Sequence, residues 1–472
     1  MESKTASDKF TKCPFDVSSE KISEFDMLDA RARINPFPFY AWLQEDESRR
    51  LYKVPYEDNF YVVHGYEDVK EVLTDHRHFS NEVLTTKKSP FFALMDGDNH
   101  RRIRDVMTEV FNTDSPAFPL EELKNRIHTI TQNLPINKPF ELFRNWANII
   151  PLSSLCIIYG VECNDQTISF LHKRAILINR ALFALGGTGP RTGKNPNFIQ
   201  KLKIAFSLLK NGSKLWQLKK RIGWSGLMEI RHMFIPKPTK DEVPRPNFNE
   251  LPEALTALLD LMNEFADALF KDTKQSPAIT ILQEAVKKGD LTKSEAIMAC
   301  TFIIFAGYET SASLLSNCIA HLTRNPETLA KLKSGHISYN QFIEEALRFY
   351  TPVGRFLRKV KEDVSIGGHE IPKGAIVIVM LGAANMDEAK YELPFEFDEY
   401  RQKSAHLSFG KGIHFCIGAS LARIQAEYAL KYLLSLAESI QLDTSKELRM
   451  VTDRDNGILR YEELWVILDA SI

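Results

Sequence analysis

Residues 292–325 constrain this chain more than any other stretch. Thr292 and Glu295 stand three residues apart, the spacing of a reciprocal helix cap, and Pro326 sets the far limit of a helix begun there. About 32 residues rising 1.5 Å each predict a rod of roughly 48 Å, long enough to cross a whole domain. Its middle, AIMACTFIIFAG, is apolar on every side, so the helix should run through a core. Tyr308, Glu309, Thr310 and Ser311 follow directly. A carboxylate inside a buried helix is costly unless it is paired or solvated, so Glu309 needs either a partner or water.

Around this helix most segments read as helical. Only residues 60–65 (FYVVHG), 375–381 (AIVIVML) and 464–468 (LWVIL) have the look of strands. The expected fold class is mainly α with small β-sheets. Apolar residues make up 44%, ample for a large core, and no Gly/Ser- or Pro-rich linker divides the 472 residues. A single domain over 1–472 is therefore expected, with 186–250, rich in Gly, Pro and Lys, as a lid or insertion. Lys and Arg (60) balance Asp and Glu (61), which argues against a dedicated nucleic-acid binder. The six cysteines are scattered without a CxxC pair, as in a reducing cytoplasm, and the N-terminal stretch is too polar for a leader or a transmembrane anchor.

Near the C-terminus, Phe409-Gly-Lys-Gly-Ile-His-Phe-Cys416-Ile-Gly418 precedes the helical sequence ASLARIQAEYALKYLLSL. Three glycines in nine residues let the backbone turn tightly and approach something flat. Cys416 falls just ahead of a helix N-terminus, where N–H groups and the dipole favour the thiolate. A buried, inert cysteine is the plainer reading of a lone Cys. A thiolate with no Cys or His at zinc spacing suits a cofactor that brings its own remaining ligands, and a porphyrin fits.

This loop resembles the haem-ligand signature of the cytochrome P450 superfamily, FGxGxHxCxG, in its bacterial type. Other segments resemble family motifs in the same order: His100 and Arg104 in DGDNHRRIRDVM, Ala306-Gly307-Tyr308-Glu309-Thr310-Ser311 in the long helix, Glu345-Ala-Leu-Arg348, Arg358, and Arg401 in FDEYR. Tyr308 departs from the residues frequent at its place. The resemblance implies the cytochrome P450 fold, with a long central oxygen-binding helix and a C-terminal cysteine loop. It also implies haem b, with Cys416 as the axial thiolate and metal ligand, and dioxygen as co-substrate. Phe409 and Gly418 would shape the ligand loop, and Ala306 and Gly307 would border the haem. His100, Arg104, Arg358 and His414 would hold the propionates. Glu309 and Thr310 would deliver protons, and Glu345, Arg348 and Arg401 would be structural.

The implied function is a monooxygenase that hydroxylates or epoxidises a small, largely apolar organic molecule. Its electrons would come from a ferredoxin or flavodoxin with an NAD(P)H-dependent reductase, docking on Lys403, Lys411 and Arg423. Substrate would meet Phe91, Phe92, Leu94, Phe302, Val353, Arg355, Phe356 and Ile458. Arg355 could bind a substrate carboxylate, join the propionate cluster or face solvent. The basic stretch 201–221, with Trp216 and the nearby Trp224, could touch a membrane, an acidic carrier protein or only water. A haem-thiolate isomerase or dehydratase, which needs no external electrons, and a haem-based sensor are the competing classes.

Overall fold

The computed structural model describes residues 35–54, 59–83, 91–185, 210–221, 223, 251–270, 276–401, 405–450 and 458–470. Lys403, Trp224, Cys13 and most of 186–250 lie outside them. The chain forms two compact units, each assembled from separated segments. The first comprises 1–79, 124–151 and 309–472, the second 80–123 and 152–308.

The expected rod is present as helix Lys293–Arg324. Its cap is reciprocal: the Thr292 N–H donates to Glu295 Oε2 at 2.8 Å and the Glu295 N–H to Thr292 Oγ1 at 3.1 Å. Among the described residues it is the one helix long and apolar enough to cross a membrane, but 72% of its most apolar window is buried in protein. That is the mark of a core helix.

In the first unit the larger sheet sets Leu51–Lys53, Phe60–Val63, Ile376–Val379 and Phe356–Val360 side by side in that order. Phe60–Val63 runs parallel to Ile376–Val379, and Phe356–Val360 runs antiparallel to it. All four side chains of Ile376–Val379 are buried, as a central strand covered on both faces requires. Val377, Val379, Leu381 and Leu407 join one apolar cluster with helix Tyr66–Thr74, each full burial contributing about 1.5–3 kcal/mol. Leu407 in that cluster fixes where the cysteine loop begins. A smaller sheet pairs Trp465–Asp469 with Ser439–Leu442 and Phe140–Glu141. The three strand expectations therefore hold to within two residues at each end.

In the second unit helices Asp165–Leu185 and Leu251–Phe270 lie together. Arg174 ties them: it pairs with Asp260 at 2.7 Å and lies over the Phe170 ring. From the basic stretch, Lys214 also pairs with Asp260 at 2.5 Å, and Arg221 pairs with Asp267. Two of the five described cations of that stretch are thus paired with acids of helix Leu251–Phe270.

Candidate active site

Helix Tyr339–Tyr350 supplies the first anchor. Arg348 and Glu345 lie one turn apart and are almost wholly buried, at 0% and 2% side-chain exposure. Arg348 Nε and Nη2 reach the two Glu345 oxygens at 2.8 and 2.7 Å. Its remaining donors go to the carbonyls of Asn385, Pro394 and Glu396. Arg401 adds Nε to Glu345 at 3.3 Å and Nη1 to the Glu392 carbonyl. The buried Glu345 and its two arginines thus tie down residues 385–401.

Asn385, which sequence reasoning passed over inside AANMD, carries that order forward. Its Nδ2 donates to Thr351 Oγ1 and to Ser408 Oγ, both at 2.8 Å, and its Oδ1 accepts the Leu407 N–H at 2.7 Å. The loop that follows turns through Gly410 and Gly412, both at positive φ. A Cβ on Gly412 would stand 2.6 Å from the Leu73 carbonyl oxygen, so only glycine fits. The Cys416 N–H donates to the Phe409 carbonyl at 2.9 Å, and Gly418 caps helix Ala419–Leu436. Cys416 is exposed, whereas Cys156, Cys300 and Cys318 are buried. Ile413 and Phe415, on either side of His414, are also exposed, an unusual display of large apolar surface beside a thiol.

On the long helix, every residue from Ala296 to Leu322 is buried except Phe302, Ala306, Gly307 and Thr310. Phe302, Ala306 and Thr310 recur at four-residue spacing and share one face. Gly307 lies beside them, with room for a Cβ 3.7 Å from Leu155. Tyr308 points into protein instead, edge-on to His172.

Glu309 is 2% exposed and has a protein partner: Arg460 Nε donates to Glu309 Oε1 at 2.5 Å. Arg460 lies over Phe143 and reaches the Tyr461 carbonyl. The carboxylate is anchored by an ion pair, so of the two ways to satisfy a buried Glu309, a partner or water, the fold supplies the partner. Sequence offered one signal for Arg460, a lone cation in the apolar run GILRY. Replacing Arg460 with Gln should cost about 2 kcal/mol in urea denaturation, because a charge-assisted bond is lost. Adding Glu309→Gln should recover most of that cost.

The remaining expected residues fall as follows. Val353 and Ile458 form an isolated β-bridge. Phe356 is exposed, and Arg358 is buried with Nη1 on the Leu357 carbonyl. The charge of Arg355 acts on the buried Tyr40 phenol, whose ionisation burial pushes far up and Arg355 only partly eases. In the second unit Phe91 and Phe92 pack against Phe302, Phe91 also against Phe305, and Leu94 is half-buried. Phe91 and Phe92 are 1% and 2% exposed, so they are core as well as candidate lining. His100 is buried and Arg104 half-buried on helix Gly97–Val110.

Arg423 corrects the docking patch. It is bidentate to Glu344, at 2.6 and 2.9 Å, and is no spare surface cation. Of that patch, Lys411 is exposed.

The family model described as Cytochrome P450 matches residues 211–335 and 338–457, just over half of the chain. The chain belongs to the cytochrome P450 family. A putative cytochrome P450, YjiB of Bacillus subtilis, is 28% identical over 412 residues, 85% of this chain and 87% of the relative. Two solved structures share the fold. P450BioI in complex with hexadec-9Z-enoic acid ligated acyl carrier protein has a TM-score of 0.71 at 24% identity, covering 93% of this chain and all of that one. CYP109E1 from Bacillus megaterium in complex with testosterone has 0.69 at 22%, covering 92% and 100%.

As a P450 the protein is a haem monooxygenase, with a cysteine thiolate as axial ligand to the iron and dioxygen as co-substrate. The residues present fit that group. An exposed thiol on a glycine turn, flanked by exposed apolar side chains, is what a flat apolar cofactor would cover.

Proposed function

We propose that Cys416 is the thiolate that ligates haem, and that Glu309 and Thr310 manage the protons of dioxygen cleavage. The substrate is a small, largely apolar molecule, and its electrons come from a separate redox protein. The observation that carries this reading is the exposed Cys416 on its glycine turn, together with the half-buried stripe Phe302, Ala306, Gly307 and Thr310 on the otherwise buried long helix, beside the anchored Glu309.

Haem, when bound, supplies the site at which dioxygen is activated, and the thiolate raises electron density there. The protein's part is to hold and move protons. Thr310 carries a hydroxyl proton at Oγ1, on the stripe. Glu309, next in the chain, holds a carboxylate that can exchange protons with water when Arg460 loosens its grip. His100, Arg104, Arg358 and His414 are the cations and donors proposed for the propionates, with arginine's fork suited to a carboxylate. Gly418 and Phe409 shape the ligand loop.

Substrate contacts are assigned to Phe91, Phe92, Leu94, Phe302, Val353, Phe356 and Ile458, with Arg355 as the group to take a carboxylate. The relatives favour a lipophilic substrate, since one neighbour binds testosterone and another an acyl chain on a carrier protein. The chain is taken as one domain over 1–472, because all four boundaries between the two units fall inside regular elements: strand Phe79–Ser80 and helices Leu120–Gln132, Ile149–Tyr159 and Lys293–Arg324. No linker separates them.

The test is turnover with ferredoxin or flavodoxin, reductase and NAD(P)H, on a substrate found by its shift of the iron spin state. Thr310→Ala should cut product formed per electron pair about tenfold or more, with hydrogen peroxide released instead. Unchanged coupling would remove Thr310 from the proton path. Turnover without any reductant would replace the monooxygenase reading of this substrate by an isomerase one.

A further inference from the structure

The commitment of Arg423 bears on the cysteine loop. Arg423 lies one turn into helix Ala419–Leu436, with both arms of its fork on Glu344. The same guanidinium lies 4.6 Å from the centroid of the Phe409 ring. The Phe409 carbonyl is the acceptor for the Cys416 N–H. Glu344 receives a further hydrogen bond from His406 Nε2 at 3.3 Å, and the His406 ring lies 5.9 Å from that of Phe409.

Hydrogen bonds tie this cluster together. The Ser408 N–H points at His406 Nδ1 at 3.3 Å, which leaves Nε2 as the nitrogen that faces Glu344. Burial opposes ionisation of Glu344, but the bonds from His406 and Arg423 outweigh it and bring the carboxyl down to about 2. The Glu344 carboxylate and the Arg423 guanidinium thus offset each other's charge beside Phe409.

We infer that Glu344 and Arg423 are positioning residues that hold Phe409 in place on the cysteine loop and balance the charge there, and so help set the reduction potential of the thiolate-ligated iron. This rests on Cys416 being the axial ligand. One-electron reduction of the ferric site adds a negative charge. A nearby unbalanced cation favours the reduced state and an unbalanced anion disfavours it.

The experiment is a redox titration of the holoenzyme with dithionite and mediator dyes at neutral pH, with the reduced, carbon-monoxide-bound spectrum recorded for each protein. Glu344→Gln leaves Arg423 unbalanced and should raise the ferrous-to-ferric ratio at fixed ambient potential about three- to tenfold, a tenfold change being about 59 mV for one electron. Arg423→Met should lower that ratio by a similar factor, and the double substitution should return it close to the parent value. Arg423→Lys keeps the charge and should leave the potential near the parent's, which separates charge balance from mere packing. If Glu344→Gln fails to take up haem, a lowered ratio in Arg423→Met beside an unchanged one in Arg423→Lys still decides the matter. Potentials that stay put, or that shift the same way for Glu344→Gln and Arg423→Met, overturn the inference while a thiolate-type spectrum keeps Cys416 as ligand. A parent spectrum without the thiolate signature overturns the underlying assignment and this inference with it.

Discussion

Replacing Arg348 with leucine should destabilise the protein by about 3–5 kcal/mol and prevent haem uptake. Arg348 is fully buried, and every arm of its guanidinium is engaged, two on Glu345 and the others on carbonyls of the segment 385–396. Leucine would leave a buried carboxylate with only Arg401 and the Asp398 N–H to balance it, and would orphan three carbonyl oxygens. Lysine would not rescue, because one ammonium cannot reproduce a fork that serves a carboxylate and three carbonyls together. Arg401→Leu should cost less, since Arg401 keeps 11% side-chain exposure and makes a single bond to Glu345. Chemical denaturation followed by circular dichroism, with haem content measured alongside, checks the order. A folded Arg348→Leu protein within about 1 kcal/mol of the parent would show that this network does not hold the cysteine loop.

Cys416→Ser should abolish the red-shifted carbon-monoxide band of the reduced protein. It should also reduce turnover by more than the roughly 10–100-fold that changes outside a metal's ligand shell cost. A hydroxyl in that place ionises poorly and donates far less electron density to iron. Cys163→Ser is the control: Cys163 is the other described cysteine that is not buried, and its loss should leave the band intact. Loss of the band in Cys163→Ser with retention in Cys416→Ser would move the ligand. Together with Arg348→Leu, this separates a protein that cannot assemble its loop from one that assembles it without the ligand atom.

Much of this was legible in the chain because it depends on local spacing. A cap is a three-residue relation, so Thr292 and Glu295 announced the start of helix Lys293–Arg324 and Pro326 its end. Glycines at 410 and 412 marked a turn at positive φ, with no room for a Cβ at 412, and the cysteine ahead of a helix start followed from the same ten residues. Glu345 and Arg348 are one helical turn apart, so their pairing too was a local matter. Alternation of apolar residues marked the strands to within two residues, the ends being where hydrogen-bonding partners decide.

Partnership over long separations was decided only by tertiary structure. Glu309 advertised the need for a counter-charge, yet Arg460 stands 151 positions away, and nothing in the helix pattern points to it. Arg423 read as a surface cation until helix Tyr339–Tyr350 brought Glu344 beneath it. Asn385 looked unremarkable in AANMD, and became a hub only because Thr351, Leu407 and Ser408 converge on it. The physical reason is common to all three. Periodicity records which face of an element is buried, but a charge or amide in the interior is satisfied by whichever group the fold brings within 3 Å, and sequence separation does not constrain that choice.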